Sequence, residues 1–238
     1  MVLAVGFAPQ AAAQTLALDS LDGLTFHHTK AEVVTHQGLK GIRVVGTEPI
    51  SPAPAARPGA ASEAAGRPGG PRPAERPRPL VVIDGAAFSN GTIELELAGK
   101  PREGAPGQAR GFVGVAFRVA PDLSRYEVFY IRPENGRADD QLRRNHSVQY
   151  ISYPDFEWMK LRQEFPGVYE TYADMVPGEW IKMKIEVNGD KARLCLHGQE
   201  QPTLLVNDLK MGAAASGGVA LWLENSTEAH FRNLKITK

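Results

Sequence analysis

A single cysteine, Cys195, stands in the whole chain, so no intrachain disulfide can form. It lies in the strand-like run KARLCLH and reads as a small half-buried residue, a catalytic thiol being the minor alternative. Net charge is also missing: 27 Lys and Arg residues balance 27 Asp and Glu residues. General binders of nucleic acid or of anionic membranes carry a basic excess, so neither partner is expected. The same balance gives little colloidal repulsion and leaves self-association open. No run of 18 apolar residues occurs, which excludes a membrane-spanning helix. Helical periodicity is nearly absent, the exception being PDFEWMKLRQEF, residues 154–165. A Gly-rich phosphate loop, an H-E-x-x-H pair, a cysteine pair and a serine nucleophile elbow are all lacking, which argues against nucleotide binding, zinc proteolysis and phosphoryl transfer. No cofactor or metal is expected. His27, His28 and His36 fall close together, but alternation sends His27 and His28 to opposite faces, so they read as surface or edge-strand histidines.

What is present begins with an apolar start followed by Ala11-Ala12-Ala13, an A-x-A-like cleavage site. Residues 1–13 are therefore expected to be a signal-peptide remnant, and the protein to be exported, periplasmic or extracellular. Residues 49–79 are rich in Pro, Ala, Gly and Arg and hold no aromatic side chain. Such a stretch cannot bury enough apolar surface to offset its ordering entropy, and is expected to be a disordered loop. The piece before it is too small for its own core, so residues 14–238 are expected to form one domain.

The rest is strand-like. LTFHH, AEVVTH and GIRVV come early, and LVVI follows the loop. GTIELELAG alternates strictly, with Ile93, Leu95 and Leu97 inward and Thr92, Glu94 and Glu96 outward. Ile181, Met183, Ile185 and Val187 alternate with Lys182, Lys184 and Glu186, and Asn188-Gly189-Asp190 turns into a partner strand. About a dozen short strands with regular turn signals predict an all-β, two-sheet antiparallel sandwich.

One stretch departs from this pattern. Residues 126–172 hold 10 of the chain's 18 aromatic residues, and residues 132–174 form a charged and aromatic insertion. This insertion is expected to cover one sheet face. Its charges read either as an internal salt-bridge network that pins a long loop or as the wall of a groove.

Several motifs resemble one family. They are Arg125-Tyr126-Glu127-Val128, Pro177-Gly178-Glu179-Trp180, Asn188-Gly189, Gly217-Gly218-Val219-Ala220-Leu221-Trp222, and the closing Glu228-Ala229-His230-Phe231-Arg232-Asn233-Leu234-Lys235-Ile236. Together they resemble the 3-keto-disaccharide hydrolase domain family, a jelly roll of concanavalin A-like or laminin G-like type. The resemblance implies an exported protein that binds or cleaves carbohydrate. The E-x-D-x-x-E run of laminarinase-type jelly rolls is absent, and Glu94-x-Glu96 is explained by exposed alternation.

In such sandwiches the outer face of one sheet forms a groove. Taking Val113, Val115 and Phe117 as inward places Arg118 outward. Taking Val128 and Tyr130 as inward places Glu127 and Phe129 outward. Taking Val219, Leu221 and Leu223 as inward places Trp222 and Glu224 outward. An outward Trp222 reads as a sugar platform or as packing under the insertion. The insertion adds Arg132, Asn135, Arg137, Asp139, Asp140, Arg143, Arg144, Asn145 and His146. As acid/base groups, His146 oriented by Asp139 or Asp140 and paired with Glu127 would suit proton abstraction beside a ketone or glycosidic cleavage. Arg118, Arg132 and Tyr150 would hold the sugar. The competing reading is a non-catalytic, lectin-like or adhesion module with a carbohydrate ligand.

Overall fold

The structure, a computed structural model, describes residues 13–50 and 78–238. The expected export signal lies outside these except for Ala13, and residues 51–77 of the expected loop also lie outside them.

In chain order the first strands are β1 (Ala13–Leu16), β2 (Leu24–His27), β3 (Thr29–His36), β4 (Leu39–Gly46) and β5 (Leu80–Ile83). Next come β6 (Gly91–Pro101), β7 (Val113–Val119), β8 (Tyr126–Ile131), the short helices α1 (Pro133–Gly136) and α2 (Gln141–Asn145), and β9 (Val148–Tyr153). Helix α3 (Trp158–Glu164) and strand β10 (Glu170–Thr171) follow. The chain closes with β11 (Ile181–Asn188), β12 (Lys191–Leu196), β13 (Leu204–Val206), β14 (Gly218–Leu223) and β15 (Thr227–Thr237).

The strands form two antiparallel sheets. One runs β13-β12-β11-β6-β15-β4-β3, with β1 also on β15, and the other runs β10-β9-β8-β7-β14-β5-β2. The chain passes repeatedly from one sheet to the other, as a jelly roll requires. In the first sheet β6 and β11 pair in register, Ile93 opposite Ile185 and Leu95 opposite Met183. Their alternate residues are buried, so the period-two pattern in the sequence becomes one dry and one wetter face. Burying each such aliphatic side chain contributes about 1.5–3 kcal/mol. The predicted turn after Asn188 forms with Gly189 at φ +60, the left-handed region that glycine reaches without a Cβ clash.

The second sheet is different. Every residue of β7, β8 and β9 is buried, so both of its faces are covered there. Register assigns the faces. Val113, Val115 and Phe117 lie opposite Ile131, Phe129 and Glu127, and opposite Leu223, Leu221 and Val219. This aliphatic and aromatic set faces the first sheet. Gly114 lies opposite Tyr130 and Trp222, on the outer face.

Two sequence expectations change here. The span 132–174 is not one excursion, because β9 runs through it as a regular strand between β8 and β10. The expected phase of β8 is inverted: Val128 and Tyr130 point outward, while Glu127 and Phe129 point into the sandwich. The expected phases of β7 and β14 hold for Val113, Val115, Phe117 and Val219, Leu221, Leu223. The helix read in residues 154–165 is α3.

Candidate functional site

The outer face of the second sheet carries a single cross-strand row. Glu170 of β10 pairs with Gln149 of β9, Gln149 with Tyr130 of β8, Tyr130 with Gly114 of β7, and Gly114 with Trp222 of β14. Five adjacent strands at ~4.8 Å spacing make this row about 19 Å long. It runs from a carboxylate through an amide and a phenol to an indole. Gly114 is the gap in it, and through that gap the Tyr130 and Trp222 rings meet at 4.8 Å between centroids. A Cβ on Gly114 would lie 2.7 Å from the Cβ of Tyr130, closer than packing permits.

Three cations and a histidine gather over the row. Arg132 lies over the rings of Phe112 and Tyr130, 5.1 and 4.9 Å from their centroids, and the two rings meet each other at 5.7 Å. It donates to the Tyr130 hydroxyl at 2.7 Å, to Gln149 Oε1 at 3.2 Å and to the His146 carbonyl at 2.6 Å. Asn135 Nδ2 donates to the same carbonyl at 3.3 Å. The His146 backbone is thus clamped by two side chains from the turn that leaves β8. Its Nδ1 lies 2.7 Å from Glu170 Oε2, though without the alignment of a formed hydrogen bond. Arg162 of α3 forks onto Glu170, with Nη2 2.7 Å and Nε 3.1 Å from its two oxygens. At the far end Arg78 meets Glu157 at 2.6 Å and lies over Tyr153, which stacks on Tyr126.

The electrostatics follow from enclosure. Burial, helped by the Arg162 charge, holds the His146 imidazole below its ordinary pKa, with Glu170 opposing. His146 is therefore neutral at pH 7 and able to accept a proton. Burial raises the Tyr130 hydroxyl, while the Arg132 charge pulls the other way. The Tyr126 hydroxyl is buried without a well-formed hydrogen bond, although the Trp222 side chain is near enough to act on it. Among the described residues no open groove lies over the row: Tyr130 and Trp222 are 1% and 4% exposed. Helix α3 packs on β9, and solvent reaches the row beside His146, whose side chain is 15% exposed.

The residues singled out in the sequence divide into two groups. Arg132, Asn135, His146 and Trp222 meet on this face. The others lie elsewhere. Arg118 and Glu127 are fully buried and paired at 3.1 Å. Arg118 also donates to the carbonyls of Ser89, Gly189 and Gly212. Its backbone has φ +53, which breaks the alternation of β7 and turns the side chain away from the outer face. Glu127 also accepts from the Tyr150 hydroxyl at 2.7 Å and the Met211 amide at 3.2 Å. Tyr150 and Phe129 are core residues with rings 5.4 Å apart. Arg137 forks onto Asp174 at the surface, and Arg144 donates to the Tyr172 hydroxyl and lies over its ring. Asp140 caps α2 through the Arg143 amide and Asp139 is exposed, so neither orients His146. Glu224 accepts from the Ser226 amide in a tight turn. Glu170, Arg162, Gln149 and Tyr130 were not singled out. Among the described residues no three His, Cys, Asp or Glu side chains gather as metal ligands.

Two antiparallel sheets and the connections that cross between them define a concanavalin A-like jelly-roll sandwich. The chain belongs to the 3-keto-alpha-glucoside-1,2-lyase-like domain family, whose profile matches residues 73–237. No curated protein matches the sequence. Two solved structures from Bacillus subtilis share the fold over nearly the whole chain. The carbohydrate-binding module CBM66 superposes with a TM-score of 0.51 at 14% identity, covering 90% of this chain and 95% of its own. A protein of unknown function with a galectin-like fold gives 0.55 at 9% identity, covering 96% of both chains. No helix among the described residues is long and apolar enough to cross a membrane.

Proposed function

We propose that the protein is exported, binds a sugar along the Glu170–Trp222 row and cleaves keto-glycosides there, with His146 as the base. The observation that carries this reading is the convergence of His146, Glu170 and Arg162, with both contacts to Glu170 at 2.7 Å. A carboxylate held by an arginine beside a neutral imidazole is the arrangement a general base needs. The Tyr130 and Trp222 rings offer apolar planes to the C–H face of a pyranose. In a 3-keto-glycoside the ketone acidifies the neighbouring C2 proton. His146 Nε2 takes that proton, the C–H electrons form a C1–C2 double bond, and the C1–O bond breaks. The departing oxygen then receives the proton back from His146. Because the row is closed over, occupation requires α3 to move outward from β9. The apolar start with Ala11-Ala12-Ala13 supports export.

The test is turnover of a 3-keto-glucoside, followed together with binding of the parent glucoside. His146→Asn is expected to lose about 100-fold or more in kcat while still binding sugar. The second reading is a lectin-like module, favoured by the whole-length likeness to a carbohydrate-binding module. It predicts binding without turnover in the wild type. A wild type that neither binds nor cleaves any glycoside would sink both.

A further inference from the structure

Tyr130 and Arg132 leave two hydrogen-bonding accounts open at the centre of the row. A guanidinium only donates, so the 2.7 Å bond from Arg132 makes the Tyr130 oxygen the acceptor. The phenol's own proton must then point elsewhere. None of the described residues accepts it, and Tyr130 is 1% exposed, so this is a buried donor without a partner. Arg132 is the second account. It is 4% exposed, and its contacts are the His146 carbonyl, the Tyr130 hydroxyl, the Gln149 amide oxygen and two ring faces. All are neutral. The two carboxylates of the site are engaged elsewhere, Glu170 by Arg162 and Glu157 by Arg78. No carboxylate touches Arg132; the Glu170 charge acts on it only from a distance and is shared with Arg162, so the buried cation is under-compensated unless something anionic arrives. One ligand feature would satisfy both groups: an oxygen atom that carries or develops negative charge against the Tyr130 hydroxyl.

We infer that Tyr130 donates to the carbonyl oxygen of a keto-sugar as it becomes an enolate oxygen, and that Arg132 positions and polarises Tyr130. This rests on the base role given to His146 above. As His146 removes the C2 proton, the electron pair moves onto that oxygen as an enolate, then returns to form the C1–C2 double bond as the C1–O bond breaks. The Tyr130 hydrogen bond shortens as the charge grows, and no net proton leaves Tyr130. Arg132 links the two halves physically, because the same guanidinium grips the Tyr130 hydroxyl and the backbone of His146. Tyr130 is thus a catalytic residue of the proposed reaction, and Arg132 a positioning residue. The ligand class it selects is a sugar oxidised to a ketone beside the abstracted C–H.

Steady-state turnover of a 3-keto-glucoside by wild type, Tyr130→Phe, Arg132→Lys, Arg132→Gln and His146→Asn tests this. Tyr130→Phe is expected to lower kcat about 100- to 1,000-fold, the loss seen when one oxyanion donor is removed. KM should stay within about threefold, since the bond strengthens only in the transition state. Arg132→Lys keeps the charge and should retain more kcat than Arg132→Gln. That ordering carries the test alone if Tyr130→Phe does not fold. Wild-type kcat in Tyr130→Phe, or equal kcat in both Arg132 variants, overturns the inference. If His146→Asn is dead while those variants are unimpaired, the base role survives and only this inference falls. A wild type that binds sugar without turnover overturns both.

Discussion

Arg118 and Glu127 form an ion pair wholly enclosed between the two sheets, 3.1 Å apart. Four of the contacts around it go to loops: Arg118 reaches Ser89, Gly189 and Gly212, and Glu127 reaches Met211. The pair therefore ties the β8 strand to the turn after β11 and to the segment before β14. Removing one partner leaves the other buried and uncompensated. Glu127→Ala is expected to cost about 3–5 kcal/mol in chemical denaturation. Turnover per folded molecule should remain near wild type. A variant of unchanged stability that has lost turnover would return Glu127 to the chemistry.

His230 lies on the outer face of the first sheet, stacked at 3.9 Å beneath His36. Burial, then the neighbouring His36, pushes its pKa down to about 4. Lys100 and Arg43 act in the same direction and Glu228 opposes them. Trp180 closes the cluster, its ring 6.2 Å from His230. In the unfolded chain an imidazole titrates near pH 6.5. Between these values the unfolded state binds more protons, so stability is complete above about pH 6.5 and falls as pH drops toward 4. The loss is about 2 kcal/mol, less than the full shift would give because solvent screens part of the interaction. Urea midpoints from pH 7 to 4 check this, and His230→Gln should flatten the slope. An unchanged slope contradicts it.

Gly114 sits where Tyr130 and Trp222 meet. Gly114→Ala drives a methyl group into the Phe129 carbonyl oxygen and to 2.7 Å from the Tyr130 Cβ, so the β8 backbone must shift along with the rings. The expected cost is about 1–3 kcal/mol of stability. Tryptophan fluorescence should change and sugar binding should weaken together. Unchanged binding would remove the ring pair from the ligand site.

The cover over the row gives a dynamic prediction. Trp158, Met159, Phe165 and Val168, on and beside α3, keep large exposed apolar surfaces, while Leu161 is inserted and 1% exposed. Amide exchange across residues 155–168 should be faster than across β9 and should slow when a glycoside binds. Exchange as slow as that of β9 with and without sugar would leave the row inaccessible and count against ligand binding there.

Much of the fold was readable wherever one face of a strand is wet. The alternation of β6 and β11 assigned inward and outward residues correctly, and Gly189 marked the turn. The reading broke where both faces are dry. In YEVFYI neither phase is polar throughout, since Glu127 sits on the inner one, so the pattern alone inverts the phase of β8 and puts Tyr130 in the core. VQYISY is likewise buried on both sides, and its polar Gln149 and Ser152 hid β9 inside a charged stretch. Arg132, Asn135 and His146 were legible because short-range loop chemistry brings them together. Glu170 and Arg162 were not, because no spacing rule links them to His146. Only the pairing of β10 with β9 places Glu170 beside that ring.

Glu170 is the carboxylate beside His146, 2.7 Å from its Nδ1. Turnover of a 3-keto-glucoside by Glu170→Gln, compared with wild type, tests its role most directly. Loss of the carboxylate charge should lower kcat per folded molecule about 100-fold or more with sugar binding retained. A Glu170→Gln protein that turns over at the wild-type rate would contradict the assignment of this row as the reacting site.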